Sequence, residues 1–264
     1  MRIESERAGA GAPAAGTEPG EPSVRAEGAG VGLKRVAALI PDAITSVGLL
    51  SGCLSIISGI SGNLVLAATM IGVSIICDGA DGLVARSAHV SSQLGLEYDS
   101  LSDVVAFGVA PAMLAYAWAL KPLGGWAVFV VGAFVICAAL RLARFNVQAA
   151  MPGRKVRFVG LPVPGASAMI AGLLFGYRYF ALDVPLALCV AMTVVMLALA
   201  ALMVSRVPYP SIKGIELKSW VSPRNLIALA VVIALFVARP ELAAFAIAIG
   251  YVLSGPLLLV IERE

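Results

Sequence analysis

The sequence predicts an all-α integral membrane protein with about eight transmembrane helices and a disordered N-terminal tail. Of its 264 residues, 60% are hydrophobic and only 13% are charged, whereas a soluble domain is about 25% charged. Its apolar runs reach the ~20 residues that a helix needs to cross a bilayer. The runs are unbroken and show no alternation of polar and apolar residues, which favours helices over a β-barrel.

The N-terminal segment differs in composition from the rest of the chain. It reads MRIESERAGAGAPAAGTEPGEPSVRAEGAGVG, is rich in Gly, Ala, Pro and Glu, and has no large apolar cluster. Such a segment buries too little surface to offset its ordering entropy. Residues 1–33 are therefore expected to be a disordered cytoplasmic tail, and residues 34–264 one transmembrane domain.

Apolar segments begin after Lys34 and Arg35, and turn-like sequences such as GISGN, KPLGG and ARPE separate them. The predicted spans are 36–58, 64–86, 97–120, 125–147, 161–180, 184–205, 224–239 and 242–261. The seventh of these is the shortest.

The distribution of Lys and Arg predicts the orientation of the spans. If the N-terminus lies in the cytoplasm, eight spans return the C-terminus there, and the outside loops hold only Lys121, Arg178 and Arg239. The inside segments hold many more basic residues. Both termini are therefore expected in the cytoplasm, with the protein in a bacterial cell (inner) membrane.

Composition also excludes several classes of site. The formal net charge of +3 is too small to indicate a nucleic-acid partner. The chain has no CxxC pair and no HExxH, and its four cysteines all fall inside apolar runs. They are interpreted as small buried residues of helices, without disulfides.

Carboxylates concentrate where spans two and three meet. Asp78 and Asp81 lie three residues apart near the end of one helix, and Asp99 and Asp103 lie four apart near the start of the next. Both spacings place a pair on one helical face, so two antiparallel helices can bring four carboxylates together. Such a group must protonate or bind cations, and oxygen ligands alone favour Mg²⁺ or Mn²⁺. With Arg86 about two turns after Asp78, the pattern indicates a site for a phosphate ester at the membrane surface.

Two other interpretations of these acids remain open at this point. They could be structural partners of arginines, or they could line the path of a divalent-cation transporter. A transport site is expected near the bilayer midplane between repeated halves. Here the acids cluster at one membrane face, and the sequence shows no internal repeat.

The spacing of these residues resembles a known signature. Asp78-x-x-Asp81-Gly82-x-x-Ala85-Arg86, eight further residues, and Gly95-x-x-x-Asp99-x-x-x-Asp103 match the CDP-alcohol phosphotransferase signature at every fixed position. More of the chain resembles one branch, the membrane-embedded CDP-diacylglycerol–serine O-phosphatidyltransferases. The supporting segments are EYDSLSDVVAFGVAPA (97–112), RLARFNV (141–147), GLPVP (160–164) and MVSRVPYPS (203–211).

The resemblance implies a substrate site, two divalent ions and a reaction. Asp78, Asp81 and Asp99 would hold two Mg²⁺ or Mn²⁺ ions on the diphosphate of CDP-diacylglycerol, with Asp103 near the second ion. An acceptor hydroxyl would attack the phosphorus that bears diacylglycerol, CMP would leave, and Asp103 would act as general base. Contacts to CDP-diacylglycerol are expected from Asp78, Gly82, Ala85, Arg86, Gly95 and Thr45. The resemblance also implies a homodimer.

The acceptor implied by this branch is L-serine. Arg141, Arg144 and Asn146 could bind its carboxylate, and Glu97 its ammonium group. Arg141 and Arg144 could equally be membrane-interface anchors or contacts to lipid phosphate. Inositol phosphate, glycerol phosphate and choline remain alternative acceptors within the family.

One position departs from the pattern of the family. The first span of such proteins often begins Pro-Asn-x-x-Thr, whereas this chain has Pro41-Asp42-Ala43-Ile44-Thr45. If the asparagine helps to hold the nucleotide, Asp42 would place a negative charge near the diphosphate.

Overall fold

The structure of the protein is a computed structural model that describes residues 24–87, 93–149, 160–180, 185–207, 209 and 239–261. Within these residues it contains helices and no strand. The helices are α1 (Val24–Ile60), α2 (Leu64–Ser87), α3 (Gln93–Asp103), α4 (Ala110–Ala115), α5 (Ala127–Ala149), α6 (Val163–Tyr179), α7 (Pro185–Val204) and α8 (Pro240–Ile261). Two π-helical segments, Val104–Val109 and Tyr116–Leu120, make α3 and α4 one continuous rod, and a 3₁₀ segment, Lys121–Trp126, leads into α5.

In the described part of the chain, four helical stretches are long and apolar enough to cross a membrane. They are Leu39–Ile60, Leu64–Ser87, Gln93–Gln148 and Leu186–Val204, and Leu242–Leu257 is a shorter apolar helix. The third stretch covers two predicted spans. Its 3₁₀ segment contains Gly124 at φ 58° and ψ −133°, and α5 packs back against the first π-helical segment, so the chain reverses there.

The prediction of an all-helical membrane protein is thus confirmed for the described residues. The seventh predicted span, 224–239, lies outside them except for Arg239, so the total of eight spans stays a prediction. The predicted tail overlaps α1, which begins at Val24. Once the apolar part of a helix has formed, each added residue costs little, so a helix can extend into a polar segment. Residues 1–23 lie outside the described part of the chain.

A seam of small residues joins α1 to its neighbours. A Cβ on Gly48 would lie 3.3 Å from the Cys77 Cβ, and a Cβ on Gly52 would lie 2.8 Å from the Ala106 Cα. The Ser74 hydroxyl donates to the Gly48 carbonyl at 2.9 Å. In a bilayer the hydrophobic effect does not drive helices together, so their association depends on close packing and hydrogen bonds of this kind. The seam fixes α1 against α2 and the rod that contains α3.

A second close contact joins α6 and α8. A Cβ on Gly172 would lie 3.1 Å from the Phe245 Cα, and one on Gly165 would lie 2.7 Å from the Tyr251 Cε1. The glycines of α6 therefore form a groove in which α8 packs, as small residues do between membrane helices. Ser167 of α6 also donates to the Phe107 carbonyl of the first π-helical segment at 2.8 Å.

One end of the bundle holds the predicted site. At this end lie the end of α2, the start of α3, the end of α5, the start of α6 and the C-terminal part of α7. Backbone hydrogen bonds join the start of α6 to the end of α7, from the Gly160 N–H to the Val207 carbonyl at 2.9 Å and from the Leu161 N–H to the Leu202 carbonyl at 3.1 Å. The carboxylates of the predicted site lie at this end.

Candidate active site

Three carboxylates converge between α2 and α3. Asp78 approaches from the end of α2, and Asp99 and Asp103 from successive turns of α3. One oxygen from each lies within 4.8 Å of the others. Oxygens on opposite sides of one Mg²⁺ are about 4.2 Å apart, given bonds of about 2.1 Å. The group is therefore close to the size that a hard divalent cation needs, and its donors are the oxygens that such a cation prefers.

The fourth predicted ligand, Asp81, lies beside this group but outside it. Asp81 and Thr45 are each only 6% exposed, and the Thr45 hydroxyl donates to the Asp81 Oδ2 at 2.7 Å. The Thr45 Oγ1 also lies 3.0 Å from the Pro41 carbonyl oxygen. Asp81 is thus anchored to α1, while Asp78, Asp99 and Asp103 face one another.

All four aspartates line one small cavity. Its volume is about 10 Å³, and Thr45, Ser74, Ser102 and Phe107 complete its wall. A volume of about 10–15 Å³ accommodates one water-sized body. The cavity matches a single ion between the helices, and its lining of carboxylate and hydroxyl oxygens suits such an ion.

Arg141 of α5 adds a positive charge near the carboxylates. Its charge acts on Asp103 and Asp78. The Arg141 Cζ lies 5.5 Å from the centroid of the Phe145 ring, one turn further along the helix. A guanidinium near the cluster offsets part of its negative charge.

Two other residues predicted to bind the acceptor, Arg144 and Asn146, form hydrogen bonds to neighbouring helices. Arg144 is exposed, and its Nη1 donates to the Val204 carbonyl at the end of α7 at 3.1 Å. Asn146 Nδ2 donates to the Ser100 Oγ at 2.8 Å, next to Asp99. In this structure these two side chains join helices at the site end of the bundle.

The remaining predicted residues lie on the last turns of α2 and the first turns of α3. Arg86 is exposed at the end of α2, and its Nη1 lies 3.2 Å from where a Cβ on Gly82 would be. The absence of a side chain at Gly82 therefore leaves room for the guanidinium. Ala85 and Gly95 are half-buried, and Glu97 is exposed on the first turns of α3.

Several neighbours of the site were not identified by sequence reasoning. Ser102 donates to the Thr45 carbonyl at 3.3 Å, and the Ser46 and Tyr98 hydroxyls are 2.9 Å apart. Ser46 also donates to the backbone carbonyl of Asp42 at 2.7 Å. These bonds fix α1 against α3. The sequence feature that could have identified these residues is the presence of hydroxyl groups in otherwise apolar segments.

Two tyrosines pack together between α8 and the chain after α7. The ring centroid of Tyr251, on α8, lies 5.9 Å from that of Tyr209. Tyr209 itself is buried, and its hydroxyl donates to the Val252 carbonyl at 3.2 Å. Burial, with the neighbouring Tyr251 as a smaller cause, raises the pKa of Tyr209 to about 12.

Comparison with known proteins places these residues in a wider context. Residues 38–204 match the family model described as CDP-alcohol phosphatidyltransferase. A CDP-diacylglycerol–serine O-phosphatidyltransferase of Helicobacter pylori is 35% identical over 179 residues, which is 67% of this chain and 74% of the relative. One of Bacillus subtilis is 35% identical over 175 residues, 66% of this chain and 91% of the relative. An archaetidylserine synthase of Methanothermobacter thermautotrophicus is 34% identical over 177 residues, 66% and 71% of the two chains.

Proposed function

The chain belongs to the CDP-alcohol phosphatidyltransferase family, and we propose that it transfers the phosphatidyl group of CDP-diacylglycerol to the hydroxyl of L-serine with release of CMP. The observation that carries the chemistry is the convergence of the Asp78, Asp99 and Asp103 carboxylates within 4.8 Å. The choice of serine is supported by the names of relatives from Helicobacter pylori and Bacillus subtilis. A divalent-cation transporter, the alternative from another class, has no such support.

The carboxylate cluster fits the divalent ions that the family implies. Asp78, Asp99 and Asp103 would hold Mg²⁺ or Mn²⁺, and Asp81 would join them when two ions are bound. Such ions neutralise the diphosphate and so reduce the repulsion that an approaching oxygen nucleophile meets. The oxygen-only donor set and the small cavity between α2 and α3 support this assignment.

Asp103 is proposed as the general base. Its carboxylate belongs to the cluster and also interacts with Arg141, so it faces both the ion site and the positive side of the cavity. In the reaction the serine oxygen forms a bond to the phosphorus that bears diacylglycerol, and the bond from that phosphorus to the CMP oxygen breaks. Asp103 takes the proton of the serine hydroxyl, which is too weak an acid to lose it unaided.

Arg141 is proposed to bind the carboxylate of serine. Its positive charge acts on Asp103 and Asp78. A guanidinium can pair with a carboxylate through two parallel hydrogen bonds, which orients as well as attracts it. Arg144, Asn146 and Glu97 remain candidates for the edge of this pocket.

The lipid substrate is proposed to bind at the same end of the bundle. The residues proposed to contact it lie on three helices: Thr45 on α1, Asp78, Gly82, Ala85 and Arg86 on α2, and Gly95 on α3. Arg86 is exposed at the end of its helix, where it can meet a phosphate while acyl chains remain in the bilayer. We propose that this end faces the cytoplasm, with both termini on that side of a bacterial inner membrane, and that the protein is a homodimer.

An activity assay with purified protein in detergent tests the proposal. CDP-diacylglycerol and Mn²⁺ or Mg²⁺ are supplied with serine, inositol phosphate, glycerol phosphate or choline in separate reactions, and CMP and lipid product are followed. Serine-dependent release of CMP that is lost in Asp99→Asn is the expected result. Release with another acceptor alone would keep the chemistry and refute the serine assignment. A folded protein that binds the metal and releases CMP with none of them would refute the proposed reaction.

A further inference from the structure

We propose that Tyr98 is a positioning residue for the metal site: through the Ser46 hydroxyl it sets the rotation of α3 about its own axis, so that the aspartates of this helix face the ion cavity. The inference rests on the proposed function, because it concerns how the metal ligands of that reaction are directed. Tyr98 lies within the matched signature but is not one of its fixed positions.

The hydrogen-bond chain that begins at Tyr98 has a defined direction. The Ser46 Oγ lies 2.7 Å from the backbone carbonyl oxygen of Asp42 and 2.9 Å from the Tyr98 hydroxyl oxygen. A serine hydroxyl has one hydrogen, and a carbonyl oxygen can only accept. Ser46 therefore donates to Asp42, and Tyr98 donates to Ser46. The chain ties the start of α3 to the backbone of α1.

A second bond to α1 lies on the same face of α3, one turn further on. Ser102 is buried, and its hydroxyl donates to the Thr45 carbonyl at 3.3 Å. Tyr98 and Ser102 are four residues apart, so both lie on the side of α3 that meets α1. Of the described α-helices, α1 makes the most extensive contact with α3. The rotation of α3 is therefore set mainly by α1.

The aspartates occupy the neighbouring face of the same helix. With about 3.6 residues per turn, each residue of an α-helix is rotated by about 100° from the one before it. Asp99 directly follows Tyr98, and Asp103 directly follows Ser102. The two carboxylates thus lie about 100° around the helix from the two bonds to α1. A rotation of α3 that broke these bonds would change the direction of both carboxylates relative to Asp78 at once.

α3 needs such bonds because one of its faces is uncovered and its acids repel their neighbours. Leu94 and Leu101, on the face opposite the aspartates, are 78% and 68% exposed in the described part of the chain. Before an ion binds, the converging carboxylates repel one another, which favours a rotation that separates them. The bonds from Tyr98 and Ser102 oppose that rotation on the side of α1. They keep the aspartates directed at the cavity until an ion offsets their charge.

Direct binding of Mn²⁺ to the purified chain in detergent tests the inference, with the electron paramagnetic resonance signal of free Mn²⁺ as the readout. Tyr98→Phe removes one hydroxyl and keeps the ring. We expect its dissociation constant for Mn²⁺ to rise about three- to tenfold, which corresponds to the loss of one neutral hydrogen bond. The reason is that a smaller fraction of the protein then holds α3 in the binding orientation. The matched control is Tyr177→Phe, at the far end of α6, which should leave Mn²⁺ binding unchanged.

Variants of Ser46 show whether the effect passes through the hydrogen-bond chain. Ser46→Ala removes the acceptor of Tyr98 and should weaken Mn²⁺ binding to a similar extent, whereas Ser46→Thr keeps a hydroxyl and should retain the affinity. In a variant that carries both Tyr98→Phe and Ser46→Ala, the dissociation constant should rise no further than in Ser46→Ala alone. If Tyr98→Phe does not fold, the comparison of Ser46→Ala with Ser46→Thr replaces it.

The outcomes separate this inference from the proposed function. Unchanged Mn²⁺ binding in Tyr98→Phe would overturn the inference, and a lower melting temperature alone would show that the hydroxyl only stabilises the fold. Equal losses in Tyr98→Phe and Tyr177→Phe, or additive effects of the Tyr98 and Ser46 changes, would also overturn it. A wild-type protein that binds Mn²⁺ but releases no CMP with serine would overturn the proposed function and leave this inference standing. A wild-type protein that binds no Mn²⁺ would overturn both.

Discussion

Replacement of Thr45 by valine isolates the contribution of its hydroxyl to the metal site. The two side chains have the same shape, so the change removes a donor and leaves the packing of α1 intact. In the structure that donor lies 2.7 Å from the Asp81 Oδ2, with both residues almost completely buried. A buried hydrogen bond to a charged group contributes about 1.5–3 kcal/mol. Without it, Asp81 is no longer anchored at the edge of the ion cavity.

The size of the effect follows from this energy. If the bond serves to hold Asp81 where a second ion binds, its loss weakens ion binding by about 10–100-fold, at 1.4 kcal/mol for each factor of ten. Effects of this size are typical when a group that orients a metal ligand is removed. Thr45→Ser keeps the hydroxyl and should retain most of the affinity, which makes it the control.

The assay is a titration of Mn²⁺ at saturating CDP-diacylglycerol and serine, with the half-activating concentration as the readout. We expect that concentration to rise about 10–100-fold in Thr45→Val and to change little in Thr45→Ser. A half-activating concentration within twofold of wild type would refute the reasoning. A rise in the KM for CDP-diacylglycerol alone would show that Thr45 acts on the lipid substrate instead.

Three further substitutions probe contacts around the site. Arg144→Ala should lower the melting temperature by removing its bond to the end of α7 and change the serine KM little, as expected of a residue at the edge of the acceptor pocket; a large rise in that KM would show that Arg144 binds the acceptor directly. Asn146→Ala should cost about 1 kcal/mol of stability and raise the half-activating Mn²⁺ concentration, because it frees α3 beside the carboxylates; a rise in the serine KM alone would contradict this. Gly52→Ala forces a Cβ to within 2.8 Å of the Ala106 Cα and should destabilise the protein by about 1–3 kcal/mol in detergent unfolding. Its control is Gly132→Ala, where a Cβ meets nothing within 4 Å, and equal losses in the two would argue against the seam.

The helices and the pairing of α2 with α3 could be predicted because their causes are local. A bilayer requires every backbone group to be satisfied within the chain, so long apolar runs become helices. A four-residue spacing places Asp99 and Asp103 on the same face of a helix, whatever surrounds that helix. The three-carboxylate cluster follows from these two facts and a short connection.

The contacts that refine the site depend on how distant helices are rotated against one another. Thr45 meets Asp81 across 36 residues, and no sequence period specifies that α1 turns this face to α2. Arg144 could reach the aspartates or α7 from the same helical end, and tertiary packing selects α7. The packing of α8 against α6 depends on the glycines that α6 carries where the two helices cross. The π-helical register shift after Asp103 likewise depends on packing and not on local propensity.

The small-residue seam has a consequence for the order in which the protein is made. Only the turn at residues 61–63 separates α1 from α2, so the entropy lost on closing this hairpin is small. Chains emerge from the ribosome N-terminus first. The Thr45–Asp81 bond can therefore form as soon as the first hairpin has entered the membrane, and Asp99 and Asp103 join it with the next helix. The proposed acceptor residue Arg141 arrives only with α5, later in the chain. During biogenesis the carboxylate cluster can thus assemble before the residue that is proposed to bind the acceptor joins it.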